Sequence, residues 1–139
     1  MDAKVTWKGR MTFEGTSDTG FKVPLGSIPE TGGDNDGFRP LELFAVGLAG
    51  CTGMDVISIL AKRKMEVKTF EVKVHADRAT EHPKVFTNIL IEYYVSGHQL
   101  DREWVEKAVE LSETKYCPAQ AMLVKAVTIS HKIIITETN

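Results

Sequence analysis

From Pro40 to about Lys64 the sequence reads as one helix, and over Leu43–Ala49 that helix is apolar in every direction. A helix with no polar face must be covered on all sides. Small residues are spread along it (Ala45, Gly47, Ala49, Gly50 and Gly53). Glycine costs helix propensity, so their number implies close approach by another helix or backbone. Pro40 suits the first turn, where its missing N–H has no intrahelical acceptor to serve. A chain of 139 residues has little material to surround such a helix, so a second subunit is expected to complete the cover. The apolar run falls far short of the ~20 residues needed to span a bilayer, and no membrane role is expected.

The flanking segments alternate between strand and turn. Lys4–Gly9 and Arg10–Gly15 place Val5, Trp7, Met11 and Phe13 on alternate positions, and Phe21–Leu25 reads as a third strand. The glycines and Asx residues of Pro29–Gly37 predict an irregular, mobile loop. After the helix, Met65–Asp77 and Val85–Ser96 are long strand candidates joined by a hairpin loop. Asp101 is a good N-cap for a second helix, with Trp104, Val105, Ala108 and Leu111 as its apolar stripe. Tyr116-Cys117-Pro118 breaks it, a short helical segment follows over Ala119–Val124, and Val127–Thr136 forms a last strand. No repeat or linker divides the chain, which reads as one α+β domain over residues 1–139.

With 42% hydrophobic and 26% charged residues, disorder is excluded. The formal net charge of -2 lacks the basic excess of an electrostatic nucleic-acid binder. Two cysteines are too few for a secreted disulfide framework, and Met1-Asp2-Ala3-Lys4-Val5 lacks the layout of a signal peptide. A cytoplasmic protein is expected.

Cys51 and Cys117 are the main chemical candidates, far apart in sequence and unlike any Cys-x-x-Cys or zinc pattern. From the residues alone, two unrelated buried thiols remain an open alternative. Asp55 shares a helical face with Cys51, but a carboxylate raises a thiol pKa, so it is expected to pair with a cation or a backbone group. The natural activators of a thiolate are arginines, here Arg10 and Arg39. Glu42 is a candidate to orient such an arginine, the alternative being an acidic first-turn residue favoured by the helix dipole. It lies ~13 Å from Cys51 along a straight helix and about half a turn out of phase, so the two cannot meet within one chain unless the helix breaks, and contact across a dimer would join them. His75, His82, His98 and His131 share no helical i, i+4 spacing, and no metal site is expected.

Arg39-Pro40-Leu41-Glu42-Leu43-Phe44-Ala45-Val46-Gly47-Leu48-Ala49-Gly50-Cys51-Thr52, followed by Met54-Asp55-Val56-Ile57, resembles the central helix of the OsmC/Ohr family. Leu111-Ser112-Glu113-Thr114-Lys115-Tyr116-Cys117-Pro118 resembles that family's second cysteine motif. Gly50-Cys51-Thr52, Asp55 and Phe86-Thr87 are similar to its YhfA-like branch. The resemblance implies antiparallel sheets packed around a long central cysteine-bearing helix, in an intertwined homodimer with active sites at the subunit interface.

It also implies a thiol-dependent peroxidase for organic hydroperoxides, with Cys51 peroxidatic and Cys117 resolving. Arg10 falls at the place of the activating arginine, with Arg39 as the second cation. Glu42 is the nearest match for the orienting Glu, which in Ohr proteins stands one residue further from the cysteine, where this chain has Leu41. No metal or prosthetic group is implied; the reductant is an external dithiol such as a lipoylated protein. Phe44, Met54 and Met122 are candidates either for a substrate pocket or for ordinary core. The competing reading is a non-catalytic ligand-binding or redox-responsive dimer that keeps the fold and cysteines without efficient turnover.

Overall fold

The alternating N-terminal segments pair as a meander: β1 (Ala3–Gly9), β2 (Thr12–Ser17) and β3 (Lys22–Leu25) form an antiparallel sheet in sequence order. Trp7 stands opposite Phe13, and Phe13 opposite Leu25. The computed structural model describes residues 1–139 and divides into two compact units, Met1–Phe44 and Ala45–Asn139. Arg10 does not open the second strand as expected. Gly9 at φ +114° and Arg10 at φ +49° reverse the chain, and pairing resumes at Thr12.

Pro29–Gly37 is irregular, as the sequence predicts, but it is pinned at many points. A short 3₁₀ turn at Pro29–Thr31 opens it. Arg10 Nε then donates to Asp34 Oδ2 at 3.0 Å, and Thr12 Oγ1 donates to Asp36 Oδ2 at 2.6 Å. Gly33 is required, because a Cβ there would sit 2.0 Å from the Ser27 carbonyl oxygen. Polar side chains supply the restraint that a sheet ladder would otherwise give. The sheet itself leaves Trp7 65% and Phe21 84% exposed, so this unit has little core of its own.

The larger unit is built on a hairpin of β4 (Glu66–Arg78) and β5 (Phe86–His98). Along β5, Ile89, Ile91, Tyr93 and Val95 alternate onto one buried face. The long helix α1 (Pro40–Lys62) contributes Leu48, Val56 and Leu60 to the same core, and α2 (Arg102–Leu111) contributes Val105, Ala108 and Val109. Asp101 caps α2 as expected, its side chain accepting from Trp104 N at 3.3 Å. A π-helical turn (Ser112–Tyr116) and α3 (Pro118–Leu123) lead to β6 (Thr128–Glu137).

One pairing departs from the antiparallel expectation: β6 runs parallel to β5. The helices between them carry the chain back to the start of the sheet, the crossover that parallel neighbours require. A second departure concerns α1. At 23 residues it is long and apolar enough to cross a bilayer by length and composition, although its strictly apolar run is short. Within the chain it is buried only along Leu48, Thr52, Gly53, Val56 and Leu60, a single stripe facing the core. Gly53 explains itself, since a Cβ there would meet Val72 Cγ2 of β4 at 3.3 Å. Gly47 and Gly50 face open space, so the chain itself supplies no close neighbour for either.

Leu60 has no exposed surface. Leu60→Ala should therefore lose about 2–5 kcal/mol in urea unfolding, the usual range for a cavity in a packed core.

Candidate functional site

The structure brings together the two cysteines that the sequence holds far apart. Cys51 is half-buried in the middle of α1, and Cys117 is buried at the N-cap of α3; both are free thiols. The Cys117 thiol is pushed up to about 11, first by burial, with the neighbouring Cys51 thiol adding to the rise. Gln120 N donates to Cys117 Sγ at 3.4 Å, which pulls the other way without overcoming burial. Cys117 is therefore a protonated thiol at neutral pH, with Cys51 beside it.

Pro118 fixes this arrangement locally. It sits at the first position of α3, where its lack of an N–H costs nothing and its ring sets the helical φ. Cys117 is left in an extended conformation as the cap residue. Its own N–H closes on the Ser112 carbonyl at 2.9 Å, which completes the π-helical turn.

Around the thiols lies a buried chain of hydroxyls that the sequence reading did not include. Thr52 Oγ1 is 2.7 Å from Tyr93 OH, 2.7 Å from Ser112 Oγ and 3.1 Å from Gln120 Nε2. Ser112 Oγ donates to Asp55 Oδ2 at 2.9 Å. That bond fixes the direction of every other, because a carboxylate can only accept. Ser112 spends its single proton on Asp55 and accepts from Thr52. Thr52 in turn accepts from Tyr93 and from the Gln120 amide. The protons all point one way, from Tyr93 through Thr52 and Ser112 to Asp55. Burial pushes the Tyr93 hydroxyl up to about 12, so it remains a donor.

Two signals of this chain were present in the sequence. Thr52 is a polar residue inside an apolar helix, next to Cys51, and Ser112 and Gln120 flank Cys117. Asp55 was expected to meet a cation or a backbone group, and instead takes a side-chain hydroxyl.

The three charged candidates have partners of their own within the first unit. Arg10 pairs with Asp34 at 3.0 Å, with both side chains largely exposed. Arg39 donates through Nη1 to the Gly37 carbonyl at 3.1 Å and through Nη2 to Asn35. Glu42 does not engage a guanidinium. Its Oε1 accepts from the Arg39 backbone N at 2.8 Å, the return bond of a capping box at the start of α1. Met54 and Met122, expected in a pocket or in core, are 74% and 67% exposed in the chain, and Phe44 is exposed as well.

An α+β chain with one cysteine on a long helix and a second, capped cysteine held against it defines a two-thiol class of protein. The sequence profile described as OsmC-like protein matches residues 33–132, and the chain belongs to that family. Protein YhfA of Escherichia coli K12 is 37% identical over 131 residues, covering 94% of this chain and 95% of YhfA. A solved structure of a protein from Aquifex aeolicus VF5 is 28% identical with a TM-score of 0.80, covering 97% of this chain and 96% of that one. The organic hydroperoxide resistance protein OhrB of Bacillus subtilis is 25% identical with a TM-score of 0.60, covering 96% of this chain and 98% of OhrB.

Two outcomes follow from the geometry. Thr52→Val keeps the shape but strips three partners of their hydrogen bonds, and should cost about 1–3 kcal/mol of stability. Folding also holds the Cys117 proton, raising that thiol from 9.0 to about 11, so between those values the folded chain keeps a proton that the unfolded chain has lost. Stability should accordingly fall as pH rises from 9.0 to about 11, and Cys117→Ser should flatten the fall in urea titrations.

Proposed function

We propose that this protein reduces organic hydroperoxides through its two cysteines, as a cytoplasmic homodimer. The observation that carries the reading is the pair itself: a buried, protonated Cys117 beside a more accessible Cys51. The Cys51 thiolate attacks the peroxide O–O bond; one oxygen stays on sulfur as sulfenic acid and the other leaves as alkoxide, which takes a proton to become the alcohol. Cys117 then attacks the sulfenic sulfur, its proton leaving with the hydroxyl as water, and a disulfide forms. An external dithiol of the lipoyl type reduces the disulfide by exchange and is itself oxidised. Membership of the family, and a likeness to a protein named for organic hydroperoxide resistance, support this substrate class.

The homodimer is supported by what the chain leaves uncovered. Val46 and Met54 of α1 are exposed, and Gly47 and Gly50 open onto space that no part of this chain occupies. Each of those glycines costs α1 about 1 kcal/mol of propensity relative to alanine. A second copy approaching the backbone closely would recover that cost. The interface should exceed ~2,000 Å² in total, as obligate dimers do. A stable monomer in light scattering at micromolar concentration would exclude it.

The chemistry is tested by adding an equivalent of cumene hydroperoxide to the reduced protein. Mass spectrometry should find a Cys51–Cys117 disulfide, and in Cys117→Ser a Cys51 that stops at sulfenic acid and over-oxidises readily. Both thiols remaining free would end the proposal. Arg10→Met or Arg39→Met should slow the first oxidation, because a cation is what lowers a thiol toward neutral pH. Glu42→Gln should change it little, since an amide still caps α1. That use of Glu42 also favours the rival reading of a redox-responsive dimer without turnover. Steady-state assay with dihydrolipoamide separates the two, the rival giving a single oxidation and no cycling.

A further inference from the structure

Asp55 stands out among the charged residues of the larger unit. It lies one turn beyond Cys51 on the same face of α1, and its carboxylate is taken up by the Ser112 hydroxyl. Ser112 is itself fully buried. It also opens the π-helical turn, and its carbonyl receives the Cys117 N–H at 2.9 Å. One residue thus holds the Cys51 helix through its side chain and the Cys117 backbone through its main chain.

We propose that Asp55 is a positioning residue for the cysteine pair: by accepting the Ser112 proton it anchors the turn that sets Cys117 against Cys51. The proposal rests on the reading that these two thiols close to a disulfide. The direction of the hydroxyl chain explains why the acceptor matters. Without it, Ser112 could donate only to Thr52, and Thr52 would then have to donate to Tyr93. The Tyr93 proton would then have no acceptor unless Gln120 turned its amide to present Oε1 in place of Nε2. A buried group in that position is costly, so the network would relax. The Ser112 end is where relaxation carries Cys117 with it.

The test measures disulfide closure without peroxide, by equilibrating the reduced full-length chain with oxidised and reduced dithiothreitol. The protein dithiol becomes a disulfide as the reagent disulfide becomes a dithiol, so atoms and electrons balance. Asp55→Ala should lower the equilibrium constant for closure about tenfold, and Asp55→Asn, whose Oδ1 can still accept, should restore it to within about threefold. The double variant Asp55→Ala/Ser112→Ala should be no worse than the poorer single one, because the two act through one bond. Closure unchanged in Asp55→Ala, a loss that Asn does not repair, or additive losses in the double variant would each overturn the proposal. If Asp55→Ala does not fold by circular dichroism, Ser112→Ala deletes the same bond from the other side, and unchanged closure there overturns it equally. A parent chain that never closes would remove the two-cysteine mechanism along with this proposal, whereas a parent that closes and variants that match it would remove this proposal alone.

Discussion

Thr52 Oγ1 has one proton to give and two lone pairs to fill, and all three are used. It joins α1 to β5 through Tyr93, to the π-helical turn through Ser112 and to α3 through Gln120. A saturated, buried network of this kind rigidifies what it touches, and a half-satisfied one would be worse than apolar packing. The residues it touches are the neighbours of both cysteines. Two thiols contributed from distant parts of the sequence are held to one geometry because the polar groups beside them are paired in one buried network.

The long helix meets two demands at once. Its Leu48–Thr52–Val56–Leu60 stripe completes a core with the parallel and antiparallel strands, and Gly53 lets β4 approach it closely. Its opposite side keeps apolar residues and glycines that nothing in the chain explains. Composition alone makes this segment look like a bilayer span. Its inner face also carries polar groups, the hydroxyl chain at Thr52 and the carboxylate at Asp55.

The sequence made legible whatever depends on local pattern. The strands apart from the reversal at Gly9–Arg10, the Pro40 start of α1, the Asp101 cap and the break at Pro118 all rest on neighbours along the chain, and the structure agrees with each. The parallel seating of β6 was not legible, because alternation in a strand says nothing about the direction of its neighbour. Nor was the partner of Asp55. A carboxylate one turn from a cysteine has many candidate partners, and only tertiary packing brings Ser112 within 2.9 Å. The loop at Pro29–Gly37 was legible as irregular but not as fixed, since the bonds from Arg10 and Thr12 join residues far apart in sequence.

The position of Glu42 shows how one residue of register can change what a charge does. Counting Arg39 as the cap, Glu42 stands at the third helical position, the one from which a carboxylate reaches back to the cap N–H. Leu41, one step earlier, occupies the place that the family resemblance assigns to an orienting Glu, and an apolar side chain can orient nothing. Glu42 therefore serves the start of α1, where the helix dipole also favours a negative charge. The guanidinium of Arg10 is paired instead by Asp34, from the loop that glycines and short polar residues shape. The carboxylate on the Arg10 guanidinium comes from the loop, so the geometry of that loop, rather than the first turn of α1, decides where Arg10 points.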